Sequence, residues 1–206
     1  MATQRLPAEQ RRRQLLAAAT RVFSRKGFHG ATTKEIAREA GVAEALIYRY
    51  FESKDELFRT AVERTAGRLV DGLEALVEAH RDDPAQALSA ALAFYRERLE
   101  RHPELSRMIF LVSAELDDPA LRAIYLPHQE RALEVLCDAI RRWQADGHLD
   151  EEMPVRAGAW LIMGTFQVIA LMKNTGRLEE LDVGPAIDLI RALLPRPGAQ
   201  GRRSAR

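Results

Sequence analysis

Cysteine is nearly missing from this 206-residue chain. Cys137 stands alone, so no internal disulfide can form. No CxxC pair or Cys/His cluster offers zinc a ligand set, and neither a metal nor any other cofactor is expected. That usage fits a reducing compartment, and a cytoplasmic protein is expected. Strand-favouring residues are scarce as well: no stretch alternates apolar and polar side chains with period two, which excludes an all-β fold. The longest apolar run, Ala157 to Met172, is interrupted by Thr165 and Gln167 and falls short of a bilayer of roughly 30 Å. We read it as a helix buried between other helices, with no membrane partner. The first twenty residues hold several arginines, but the apolar stretch after them is short and broken by Arg21, unlike a secretory leader. There is no GxSxG, HExxH, phosphate loop or dinucleotide fingerprint, so no catalytic residue stands out and an enzyme is not expected.

What is present suits a helical globular protein. Hydrophobic residues make up 47% and charged residues 30%, enough of each to bury a core and keep a solvated surface. Ala, Leu, Glu and Arg dominate, all good helix formers. The formal charge of +1 conceals an asymmetry. Residues 1–59 carry a net +5, residues 60–195 a net −8, and the stretch from Arg196 to Arg206 adds four arginines. A basic head on an acidic body suggests that the head meets a polyanion, although charge runs are more often simply solvated faces.

Breakers divide the chain into nine helical stretches. Pro7 opens the first, with Leu15, Leu16, Ala19, Val22 and Phe23 on one face, and Gly27 ends it. Thr32 with Glu35 forms a capping box, so a second helix runs from Thr33 to Gly41. A third covers Glu44 to Tyr50. Ser53 with Glu56 opens a long fourth helix towards His80, and Pro84, Pro103 and Pro119 begin three more. Pro127 should kink the last of these. Pro154 opens the apolar helix, and Gly184-Pro185 opens a closing one that ends at Leu194. Residues 196–206 have no apolar periodicity and read as a disordered basic tail. The expected division is a head at 7–53, a larger helical body at 54–195 and that tail.

Three short helices in the head, with a turn at Ala40-Gly41-Val42, form a helix-turn-helix. Ile36, Ala40, Val42, Ile47 and Tyr50 provide contacts between its two helices, Ala37 is small where they cross, and Gly41 suits a turn that needs positive φ. The segment TTKEIAREAGVAEALIYRYFESKDELF resembles the DNA-binding segment of the TetR/AcrR family of bacterial transcriptional repressors. The resemblance covers about residues 10–60, and the run of IAxxAGV, IYRYF and SKDELF is far more specific than a bare helix-turn-helix. It implies an all-α, nine-helix fold in which a three-helix DNA-binding head precedes a larger bundle that binds ligand and dimerises.

By that resemblance Thr32, Thr33 and Lys34 meet phosphate or the groove edge, while Ala43, Glu44, Ala45, Leu46 and Arg49 read the sequence. Tyr48 and Tyr50 match aromatic positions whose hydroxyls reach the backbone, and Lys54 matches a phosphate-binding lysine. Physically, the Arg49 fork suits a guanine and Glu44 a cytosine amino group. Tyr50 reads more readily as core. Ala43 supplies no side-chain cap where the family often has Ser or Thr, and Ala45 and Leu46 stand where Gly, Pro or Thr is frequent, so no operator sequence carries over.

One short recognition helix reads too few base pairs, which calls for a homodimer on palindromic double-stranded DNA. In the family the last two helices form the dimer bundle, which places Trp160, Phe166, Ile187, Ile190 and Leu194 at the interface, with an internal core helix as the bland alternative. The family holds a small-molecule effector in the helical body, for which Phe94, Met108, Phe110, Trp143 and Met163 are candidate lining residues. A lipophilic effector follows only from the lack of charged clusters in the apolar segments. The whole reads as a repressor released by such an effector; the alternative is a similar DNA-binding protein without one, partner-regulated or architectural.

Overall fold

Local chemistry sets most of the helix ends. In the computed structural model, which describes residues 6–180, the Thr32 hydroxyl accepts from Glu35 N–H and the Glu35 carboxylate accepts from Thr32 N–H, a complete capping box. That box starts α2 (Thr33–Ala40), which follows α1 (Ala8–Gly30). Helix α1 leaves helical geometry at Gly27, where φ is 70°, and a further turn carries on to Gly30. The expected break is therefore present, three residues before the helix is over.

Helix α3 (Glu44–Ile47) is shorter than the sequence suggests. Ala43 gives it no side-chain cap, and Arg49 N–H and Tyr50 N–H bond to the carbonyls three residues back, so the chain tightens into turns through Tyr50. Ser53 then caps α4 (Lys54–Ala79) by accepting from Glu56 N–H. Asp83 caps α5 (Pro84–Arg101) by accepting from Ala85 and Gln86 N–H. Helices α6 (Pro103–Ala114) and α7 (Pro119–Ala145) also begin on proline, whose missing N–H costs a first turn nothing. Pro127 stands inside α7. Helix α8 (Val155–Asn174) and a 3-10 turn (Leu178–Glu180) complete the described residues, which contain eight α-helices and no strand. The expected closing helix lies outside them, and with it Ile187, Ile190 and Leu194.

The chain packs as two compact units, whose borders fall within α4 after Gly67, between α5 and α6, and within α7 after Pro127. The first holds α1–α3, the start of α4, α6 and the start of α7. Its core joins Leu15, Phe23, Ile36, Ile47, Phe51 and Leu57 to Met108, Val112 and Leu121. Phe23 meets Phe58 edge to face, ring centroids 4.8 Å apart. This unit is larger than the expected head at 7–53, because α6 buries its apolar face with α1.

The second unit holds the rest of α4 and α7 with α5 and α8. Trp143, 1% exposed, anchors its core beside Leu133, Leu136 and Ile140, and its indole N–H donates to the Arg81 carbonyl at 2.7 Å. Arg131 clamps α7 to α4 through Asp71 and Glu74, and Arg156 ties α8 to Glu130 and Glu134 on α7. Helix α8 is less enclosed than its composition suggests. Ala159, Ile169 and Ala170 are buried, but Trp160 (45% exposed), Leu161 (76%), Val168 and Leu171 face outward. At 20 residues, with a mean hydropathy of 1.5 in its most apolar window, α8 is long and apolar enough to cross a membrane by length and composition alone. That corrects the expectation of a run too short to span.

Candidate nucleic-acid interface

The helix-turn-helix is built as its sequence requires. Ile36, Ala37, Ala40 and Ile47 are buried between α2 and α3. Gly41 sits at φ 67°, with Val42 N–H bonded to the Ala37 carbonyl and Gly41 N–H to that of Arg38, a C-terminal cap that an L side chain adopts only with strain. The turn is pinned from behind: Gln14 donates its side-chain amide to the Ala40 carbonyl at 2.8 Å, and Arg11 donates to Gln14 at 2.7 Å. Arg11 is thereby buried and structural. Arg12 lies over the Phe51 ring, 5.0 Å from its centroid.

Pairing decides where the positive charge of the first unit remains available. Arg13 pairs with Glu9, Arg21 and Arg25 share Glu39, and Lys26 pairs with Glu35. The two guanidiniums hold the Glu39 carboxyl below the usual glutamate range, Arg21 contributing most, and Lys26 does the same for Glu35. Lys34, Arg38 and Arg49 are exposed and have no ion pair among the described residues. Arg59, Arg107 and Arg122 of this unit are likewise exposed without an ion pair among the described residues, so Lys34, Arg38 and Arg49 place part of its unneutralised charge on α2 and on the turn after α3, which suits a polyanion. Arg38 was not singled out from the sequence; its place four residues after Lys34, on the same exposed face, was the signal.

The expected contact residues divide by exposure. Thr32, Lys34, Ala43, Glu44, Ala45, Tyr48 and Arg49 are exposed, and Leu46 is half-buried. Tyr50 is half-buried against the core, in line with its core reading. Thr33 is only 9% exposed; its hydroxyl lies 2.6 Å from a Glu44 carboxylate oxygen and 3.1 Å from the Tyr48 hydroxyl. Lys54 donates to the carbonyls of Phe28 and Ala31, at 3.0 and 3.2 Å, and sits over the Phe28 ring. A lysine at the start of a helix thereby finds its counterpart in the carbonyl end of another, which leaves one of its three N–H groups for a further partner.

The expected effector residues are drawn from both units. Met108 is buried in the core of the first unit, which also holds the half-buried Phe110. Phe94, Trp143 and Met163 belong to the second. Trp143 is a core residue, Phe94 lies against α4 at Gly72, and Met163 is partly buried. A groove of about 540 Å³ in the second unit is lined by Glu74, Val77, Glu78, Val135, Asp138, Arg141 and Arg142. It is bordered by ionised side chains and includes none of the five. Of the dimer candidates, Trp160 faces outward, whereas the Phe166 ring meets Tyr95 edge to face at 5.1 Å, inside the unit.

Comparison with known proteins gives a consistent answer. The profile described as bacterial regulatory proteins, tetR family, matches residues 15–61. The chain is 33% identical over 138 residues to the HTH-type transcriptional activator FasR of Mycolicibacterium smegmatis, an alignment covering 67% of this chain and 62% of that protein. It is 36% identical over 97 residues to the HTH-type transcriptional repressor NicS of Pseudomonas putida, covering 47% and 45%. These alignments span less than two thirds of either relative. Among solved structures, a TetR-like transcriptional regulator from Rhodococcus superposes with a TM-score of 0.68 at 25% identity, covering 92% of this chain and 96% of that one. The regulator FadR from Bacillus subtilis, in complex with stearoyl-CoA, superposes with a TM-score of 0.71 at 19% identity, covering 88% and 96%. At that identity the likeness to FadR shows the fold alone.

Proposed function

The chain belongs to the tetR family of bacterial regulatory proteins, and from that premise we propose that it is a sequence-specific DNA-binding transcriptional regulator acting as a homodimer. The observation that carries this reading is the coincidence of a rigid helix-turn-helix with the unpaired cations Lys34, Arg38 and Arg49 on its exposed side. Phosphate contacts then position the head, and Arg49, Glu44, Ala45 and Leu46 read base edges. Homodimerisation is supported by α8, where Ala157, Leu161, Gly164, Val168 and Leu171 form an uncharged outward stripe with steps of three and four residues and Trp160 stands beside Leu161. That spacing is the seam of a helical bundle. Random-sequence selection with the full chain should return sites with two-fold symmetry; selected sequences with no shared or symmetric element would overturn the reading.

The regulator is a repressor where its site overlaps a promoter, although the relatives carry both signs by name. Release by a small apolar effector is supported by the aromatic and thioether side chains of the second unit, Phe94, Tyr95, Met163 and Phe166, and by the acyl thioester held by FadR. Such an effector acts only through a preference for the form that does not fit DNA. A regulator with no small-molecule effector is the second reading, favoured by the burial of Trp143 and Met108 as core residues. Thermal shift assays with long-chain acyl-CoA thioesters separate the two, a dose-dependent rise in the midpoint supporting the first.

A further inference from the structure

Glu44 is the one acidic side chain on the exposed surface of α3, a surface meant in the reading above to face a polyanion. It is held in place. The Thr33 hydroxyl has one hydrogen, and the ionised carboxylate 2.6 Å away can only accept, so Thr33 donates to Glu44. The Tyr48 hydroxyl, 3.1 Å from the same Thr33 oxygen, must then be the donor to it. Thr33 is nearly buried at the first position of α2. The carboxylate is therefore fixed through one oxygen by a chain of two hydroxyls, one from each side of the turn, while its second oxygen has no partner among the described residues.

A fixed carboxylate in a major groove makes a definite demand. Guanine N7 and O6 and thymine O4 are acceptors and repel it, adenine sets its N6 donor beside the N7 acceptor, and cytosine presents its N4 amino group alone. Arg49, five residues on and unpaired, makes the opposite demand for acceptors. We propose that Thr33 and Tyr48 are positioning residues that fix Glu44 as the reader of a cytosine amino group in each half-site. This rests on the DNA-binding reading.

The test uses the full chain on a site recovered by selection. Competition binding compares duplexes that differ at one base pair in both half-sites, for the wild type and for Glu44→Gln, Thr33→Val, Thr33→Ser and Tyr48→Phe. The wild type should prefer cytosine at one position by about tenfold, and Glu44→Gln should move that preference to adenine, whose edge an amide matches. Thr33→Val and Tyr48→Phe should each shrink the cytosine preference to about twofold at that position and leave the other positions as selective as before, with Thr33→Ser restoring it. Loss of selectivity at every position at once would mean a merely structural role and would overturn the proposal. So would an unchanged base preference in Glu44→Gln, or in Tyr48→Phe, whose exposed ring (52%) makes misfolding an inadequate explanation. A wild type that selects no site removes the DNA-binding reading itself, and this proposal with it.

Discussion

Single side chains in the first unit do more than one job. Lys54 bonds to the end of α1 through two carbonyls, so Lys54→Met should lower stability by about 1–2 kcal/mol, the scale of hydrogen bonds from a charged donor that is half-buried. Chemical denaturation measures that loss without any DNA; an unchanged midpoint would leave Lys54 with a phosphate role alone. Glu39 gives a pH prediction. Its carboxyl is held below the ordinary glutamate value of 4.5 in the folded chain, first by Arg21 and then by Arg25. A depressed value stabilises the fold above the unfolded-state pKa, and that stabilisation disappears as pH falls through the folded value. Between pH 6 and pH 3 the wild type should therefore lose more thermal stability than Glu39→Gln, measured by melting across the series. Equal losses would show that the clamp contributes nothing. The residue types at these positions were legible in the sequence. Their partners were not, because the Glu44–Thr33–Tyr48 chain and the Lys54 cap join residues 11 to 26 positions apart, and only the crossing of packed helices brings them together.

At the scale of elements, the helix starts were the most legible feature, since a capping box or a proline at the first turn acts within four residues. Thr32 with Glu35, Asp83-Pro84 and Asp118-Pro119 all stand where the sequence places them. Ends were less so. Helix α3 is shortened because Ala43 gives it no side-chain cap and its last carbonyls accept from three residues on, a contest that periodicity does not reveal. Gly41 offers a clean test of the turn: nothing lies within 4 Å of the place a methyl group would take, so Gly41→Ala meets only the cost of its left-handed backbone, about 1 kcal/mol. Urea titration should show that loss, with Gly41→Asn falling between the two. Stability equal to wild type would mean that the turn relaxes to negative φ.

For the molecule as a whole, the sequence indicated an all-helical chain with a DNA-binding head, and periodicity could not say which core each helix joins. Helix α6 is amphipathic wherever it packs, yet Met108 and Val112 go to the core of the first unit. The proposed homodimer depends on the outward stripe of α8. Leu161→Asp, at the most exposed apolar side chain of that stripe, should yield a monomer by sedimentation and keep the helical content, since the inward residues Ala159, Ile169 and Ala170 are untouched. A dimer that survives would move the interface elsewhere. Phe166→Asp is the poorer probe, because it breaks the contact with Tyr95 inside the unit.

The central claim, selective DNA binding by the helix-turn-helix, is tested most directly by fluorescence anisotropy of the purified chain with the duplex just upstream of its own gene, against a scrambled duplex, across a salt series. The account predicts tight binding to the first duplex that survives physiological salt, saturates at an even number of chains per site and weakens at least tenfold in Arg49→Ala. Weak binding, equal for both duplexes, lost steeply with salt and indifferent to Arg49, would contradict it.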